Sequence, residues 1–81
     1  MQGSEIETLI KAGIPDAEVL VKGDGDHFEA TVISVSFEGI SMVKQHQMVY
    51  AALGERIGGE IHAIALHTCT PEQWRSRRRI Q

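Results

Sequence analysis

Two histidines, His27 and His62, stand where strand-like runs begin, in "GDGDHFEATVIS" and "EIHAIALH". Imidazole binds zinc, copper, nickel and iron, and it can replace cysteine on one iron of a two-iron cluster. Two histidines without a third protein ligand make a poor closed site, so a metal here takes its other ligands from elsewhere. The missing ligands point to a partner.

Elements to position these groups can be read from the pattern. Ser4 and Glu7 fit an S-x-x-E capping box, so a helix is expected from there, with Ile6, Leu9 and Ile10 on one face and Gly13 and Pro15 ending it. Two strand-like runs follow around a polar loop of Gly23, Asp24, Gly25 and Asp26, which marks a hairpin. In the second run Phe28, Ala30 and Val32 point one way, and Glu29, Thr31 and Ile33 the other. Ser41 is the expected N-cap of a helix running to about Ile57, with Val43, His46, Val49 or Tyr50, Leu53 and Ile57 at helical spacing. Gly58 and Gly59 stop it. "EIHAIALH" is then a strand nearly continuous in apolar residues, as expected where much of both faces is covered. Thr70, Pro71 and Gln73 open a last short helix carrying Trp74, which is expected to pack that helix onto the sheet.

The order is helix, strand, strand, helix, strand, short helix. If the second and third strands are neighbours, a single crossover helix makes them parallel, and their starting ends share one edge of the sheet. His27 and His62 then come within one or two strand spacings, each roughly 5 Å. Strict alternation, however, puts His62 with Ile64 and Leu66 but His27 with Glu29 and Thr31. Shared ligation therefore needs a flexible loop or twisted strand ends, and on geometry alone histidines satisfied separately by backbone or water are the favoured reading.

Other groups carry less. His46, on the apolar face of the long helix, reads as a hydrogen-bonded core or edge histidine. His67 and Cys69 could share a face of the third strand, yet no orienting group or oxyanion loop accompanies them, so an enzyme is not expected and Cys69 reads as a small buried hydrophobe. "GDGDHF" lacks the lysine and following helix of a phosphate loop and misses calcium-loop spacing.

With 81 residues, 42% of them hydrophobic and 23% charged, the chain is expected to make one domain spanning 1–81 with one modest core. The net charge of −3 argues against general nucleic-acid affinity. Charge is uneven, because acidic residues dominate up to Glu38 while Arg75, Arg77, Arg78 and Arg79 form a basic tail from about residue 75. The single cysteine, Cys69, excludes an internal disulfide and fits a reducing compartment. No secretory signal pattern and no apolar run of roughly 20 residues is present, so a cytoplasmic protein without a membrane role is expected.

The quoted blocks, with "FEGISMVKQHQMVYAAL" between them and the closing "IHAIALHTCTPEQW", resemble the BolA family and within it the bacterial IbaG branch. The matching positions are Phe37, Gly39, Ser41, Val43, the run around His46, Val49, Tyr50, Leu53, the hallmark histidine at His62, and Thr70, Pro71 and Trp74. The resemblance implies an α+β fold of αββαβ(α) order, similar to a class II KH fold, with a three-stranded mixed sheet and helices packed on one face. It also implies a non-enzymatic role in iron-sulfur and iron metabolism. A monothiol glutaredoxin and glutathione would each supply a thiolate to a [2Fe-2S] cluster, and the BolA-like chain would supply His62 with His27 as a second ligand. The cluster would not be expected on the isolated protein. A second role implied for the family is DNA-binding regulation through the KH-like fold, the long helix and the basic tail, here Lys44, Arg75, Arg77, Arg78 and Arg79. Around His46 this chain carries Lys44, Gln45 and Gln47 where many relatives carry arginines, and no GxxG backbone clamp is evident.

Overall fold

The computed structural model describes residues 1–23 and 26–79, with side chains through Arg77. Asp24 and Gly25 of the expected hairpin loop lie outside the described residues.

The first helix, α1 (Gly3–Gly13), starts earlier than the Ser4 box implied. Gln2 is the N-cap, with its N–H donated to Glu5 Oε1 at 3.1 Å while the Glu5 N–H reaches the Gln2 carbonyl at 3.0 Å. Ser4 and Glu7 have the same three-residue spacing as Gln2 and Glu5, so the sequence offered two registers. The helix takes the earlier one, and Ile6 and Ile10 lie fully buried on its inner face. Ser4 instead accepts the Thr8 hydroxyl on its carbonyl at 2.9 Å. The Ile14 N–H closes the helix on Ile10, and Pro15 prevents continuation.

β1 (Glu18–Gly23) and β2 (His27–Ile33) form the expected antiparallel hairpin, in a register running from Glu18 opposite Ile33 to Gly23 opposite Phe28. Phe28, Ala30 and Val32 are buried, as alternation required. Gly23 has φ of +116°, and a Cβ placed there would overlap the His27 carbonyl oxygen and stand 2.9 Å from Phe28 Cα. Gly23→Ala should therefore destabilise the fold by about 1–3 kcal/mol through backbone strain, read as a lower urea midpoint. An unchanged midpoint would show that the hairpin relaxes around the methyl group.

A short 3₁₀ turn, Val35–Phe37, follows β2 and is held by a carboxylate from the loop before β1. Asp16 accepts the Ser34 hydroxyl at 2.7 Å, the Val35 N–H at 3.1 Å and the Ser36 hydroxyl at 2.8 Å. The hydroxyls of Ser34 and Ser36, joined by the Val35 amide, hold the Asp16 carboxyl below its ordinary value against a modest opposing effect of desolvation. A carboxylate depressed in the folded state adds stability above its unfolded pKa and loses that contribution as pH falls through the lower, folded value. Asp16→Asn should accordingly flatten the acid side of the stability–pH curve and cost about 1 kcal/mol at neutral pH. Parallel acid limbs for the two proteins in denaturant titrations would contradict this.

α2 (Met42–Leu53) is capped as expected, with Ser41 Oγ accepting the Lys44 N–H at 3.3 Å. Its length and phase differ from the expectation. The α-helix ends at Leu53 because Gly54, at φ +60°, takes the C-cap, and a 3₁₀ turn (Gly54–Arg56) carries the chain towards Ile57. The buried row is Gln45, Val49 and Leu53, whereas Val43 is 67% exposed and Tyr50 and Ile57 are also exposed. A polar residue points inward here for a reason. Gln45 Nε2 donates to the Ile40 carbonyl at 2.8 Å and the Phe37 carbonyl at 3.4 Å, tying the helix to the loop before it.

β3 (Ala63–Cys69) pairs in parallel with β2, from His27 opposite Ala63 to Ile33 opposite Cys69, giving the sheet order β1-β2-β3. The strand begins later than "EIHAIALH" suggested, since β2 offers no partner before His27 and Glu60 lies in a turn. Ile61, 1% exposed, makes an isolated pairing with Ile57. Nor is β3 covered on both faces: Ala63, Ala65 and His67 are exposed while Ile64 and Leu66 are half-buried. A mixed sheet with one open face explains this, and the short alanine side chains made the strand look more deeply buried than it is.

α3 (Pro71–Arg79) opens on the expected box, in which Thr70 N–H bonds Gln73 Oε1 at 2.9 Å and Gln73 N–H bonds Thr70 Oγ1 at 3.2 Å. Trp74 is partly buried. The architecture is the expected α+β fold, a three-stranded mixed sheet with three helices. Among the described residues no helix is long and apolar enough to cross a membrane.

Candidate functional site

The parallel pairing of β2 and β3 decides where the two histidines meet. His27 is the first residue of β2 and His62 sits in a bend one residue before β3; both are exposed. The Ala63 N–H bonds the Asp26 carbonyl at 3.2 Å, and His27 lies opposite Ala63, so the two histidine backbones occupy neighbouring positions on one sheet edge. The side chains are out of step by one residue. His27 belongs with Glu29 on the open face of the sheet, whereas His62 precedes the strand and is not bound by its alternation.

Among the described residues no three His, Cys, Asp or Glu side chains form a group able to hold a metal. The edge can offer at most a pair of imidazoles. That donor set fits one side of a shared centre and cannot close a site by itself.

The open face carries a contact that the sequence reading missed. His67 Nε2 and Glu29 Oε2 lie 3.3 Å apart, both about half exposed, across the β2–β3 pair. Its signal is the register: once His27 is placed opposite Ala63, Glu29 and His67 fall diagonally on one face. Cys69, two residues beyond His67, is fully buried as expected, and burial pushes its thiol up while the Arg77 guanidinium opposes the shift. A protonated, inaccessible thiol is a poor nucleophile. His46 is partly buried as expected, but its Nε2 has no hydrogen-bond partner among the described residues, so the hydrogen-bonded histidine read from the sequence is not found at that atom.

The residues assigned to nucleic-acid contact come from two helices. Lys44 is exposed in the first turn of α2, and Arg75 and Arg77 are exposed on α3. The groove beside Arg77 is also lined by Glu38 and Glu72, whose carboxylates would repel phosphate. The side chains of Arg78 and Arg79 lie outside the described residues.

Comparison with known proteins agrees with this architecture. The family model described as BolA-like protein matches residues 10–73. The chain is 36% identical over 81 residues to Acid stress protein IbaG of Escherichia coli strain K12, covering 99% of this chain and 96% of that protein. It is 43% identical over 58 residues to human BolA-like protein 1, covering 72% of this chain but only 42% of that longer relative. Among solved structures, a bolA protein homologue from Coxiella burnetii superimposes with a TM-score of 0.84 at 37% identity, covering 93% of this chain and 97% of the other.

Proposed function

The chain belongs to the BolA family, and we propose that it is a non-enzymatic adaptor in iron-sulfur metabolism that receives a [2Fe-2S] cluster as cargo jointly with a monothiol glutaredoxin. The observation that carries the reading is the incomplete donor set: exposed His62 beside exposed His27 at one edge, without a third ligand group among the described residues. The glutaredoxin and glutathione would bring soft thiolates, and this chain neutral imidazole, matching what two-iron clusters accept.

His62 is the principal ligand in this reading. It stands in a bend, between the buried Ile61 and the first paired residue of β3, so its backbone is anchored on both sides while its side chain remains free to face a partner. His27 is the neighbouring donor, committed by its strand to the open face. Exchanging thiolate for imidazole on one iron raises the cluster's potential, and because only the neutral ring ligates, acid opposes the shared complex. The burial of Cys69 supports an adaptor over a thiol enzyme.

The test is to add the protein to cluster-loaded monothiol glutaredoxin with glutathione and record visible circular dichroism. A new spectrum at one equivalent is expected. The unaltered spectrum of the glutaredoxin cluster would contradict the proposal.

A further inference from the structure

The three methionines differ in their surroundings. Met1 and Met48 pack against the hydrophobic core, whereas Met42, the first residue of α2, is 52% exposed. The Met42 sulfur nevertheless has a buried partner. Thr68 Oγ1 donates to it at 3.2 Å, and Thr68, on β3 just before Cys69, is 2% exposed. Met42 is thus half exposed while its thioether accepts a hydroxyl from inside the protein.

We propose that Met42 is a reversible oxidation site through which peroxide loosens the contact between α2 and β3. A sulfur lone pair attacks one oxygen of hydrogen peroxide, the S–O bond forms as the O–O bond breaks, and water leaves after proton transfer. Methionine loses two electrons and the peroxide gains them. The product is bulkier, polar and chiral. Its sulfur is a poorer acceptor, and its oxygen cannot occupy the 3.2 Å gap to Thr68 without moving the side chain. The buried Thr68 hydroxyl then either loses its acceptor, which is costly away from water, or draws the displaced sulfoxide oxygen to it, and in both cases the packing of Met42 against β3 is broken. The disturbance falls on the turn that begins α2, between the Ser41 cap and the Gln45 anchor to the preceding loop. The inference rests on this contact alone and is independent of cluster binding.

The test treats the full chain with graded hydrogen peroxide, followed by peptide mass mapping and thermal unfolding. Sulfoxide should accumulate at Met42 several-fold faster than at Met48, and the oxidised protein should melt several degrees lower. Methionine sulfoxide reductases with a thiol reductant should restore the original melting temperature. Peroxide should leave the melting of Met42→Leu unchanged. Equal oxidation rates at Met42 and Met48, unchanged melting with Met42 fully oxidised, or the same shift in Met42→Leu would overturn the proposal.

Discussion

Replacing Phe37 with alanine is expected to remove about 3–5 kcal/mol of folding stability, the usual cost of emptying a buried aromatic site. Small domains hold only about 5–15 kcal/mol in all, so the variant should be largely unfolded on mild heating. Phe37 is 1% exposed and joins the core cluster from a short 3₁₀ turn, without a long element to hold it. The turn is fastened by Asp16 at one end and by the Gln45 amide on the Phe37 carbonyl at the other. With polar contacts fixing the backbone, the site cannot collapse easily around a missing ring. Urea unfolding would measure the loss, and Phe37→Leu should recover part of it. A decrease below about 1 kcal/mol would mean that the core repacks freely there.

The second large effect concerns the site and leaves the fold alone. His62→Ala should weaken the cluster-bridged complex by about 100-fold or more, since even groups that merely orient a metal ligand are worth 10–100-fold. The substituted residue is exposed and precedes β3, so the variant should melt within about 0.5 kcal/mol of wild type. His27→Ala should cost less, because its strand directs that side chain to the open face while His62 lies outside the ladder. Titrating each variant into cluster-loaded glutaredoxin gives the ranking. Equal affinity of His62→Ala and wild type would remove His62 from the site.

Much of this arrangement was legible in the sequence, and the misreadings share a cause. Glycines, proline and the Ser41 and Thr70 caps act locally, so they marked the elements and their order. The crossover rule then placed His27 and His62 on one edge. What depended on tertiary choice was not readable. The phase of α2 turned on Gln45 finding two loop carbonyls, an outcome that hydropathy counts against. The start of α1 turned on Gln2 and Glu5 capping the helix two residues before the Ser4 box. The Glu29–His67 contact needed a register fixed only when β3 met β2. Alternation did show that the two histidine side chains are out of step, and the structure leaves His62 unconstrained by starting β3 one residue later.

Under the proposed function an imidazole of this chain ligates the shared cluster. This ligation is tested most directly by incorporating ¹⁵N-histidine into this protein alone, reducing the mixed complex, and recording pulsed electron paramagnetic resonance. Strong hyperfine coupling to ¹⁵N is expected in wild type and should be lost or sharply reduced in His62→Ala. A spectrum without strong ¹⁵N coupling, or one unchanged in His62→Ala, would contradict it.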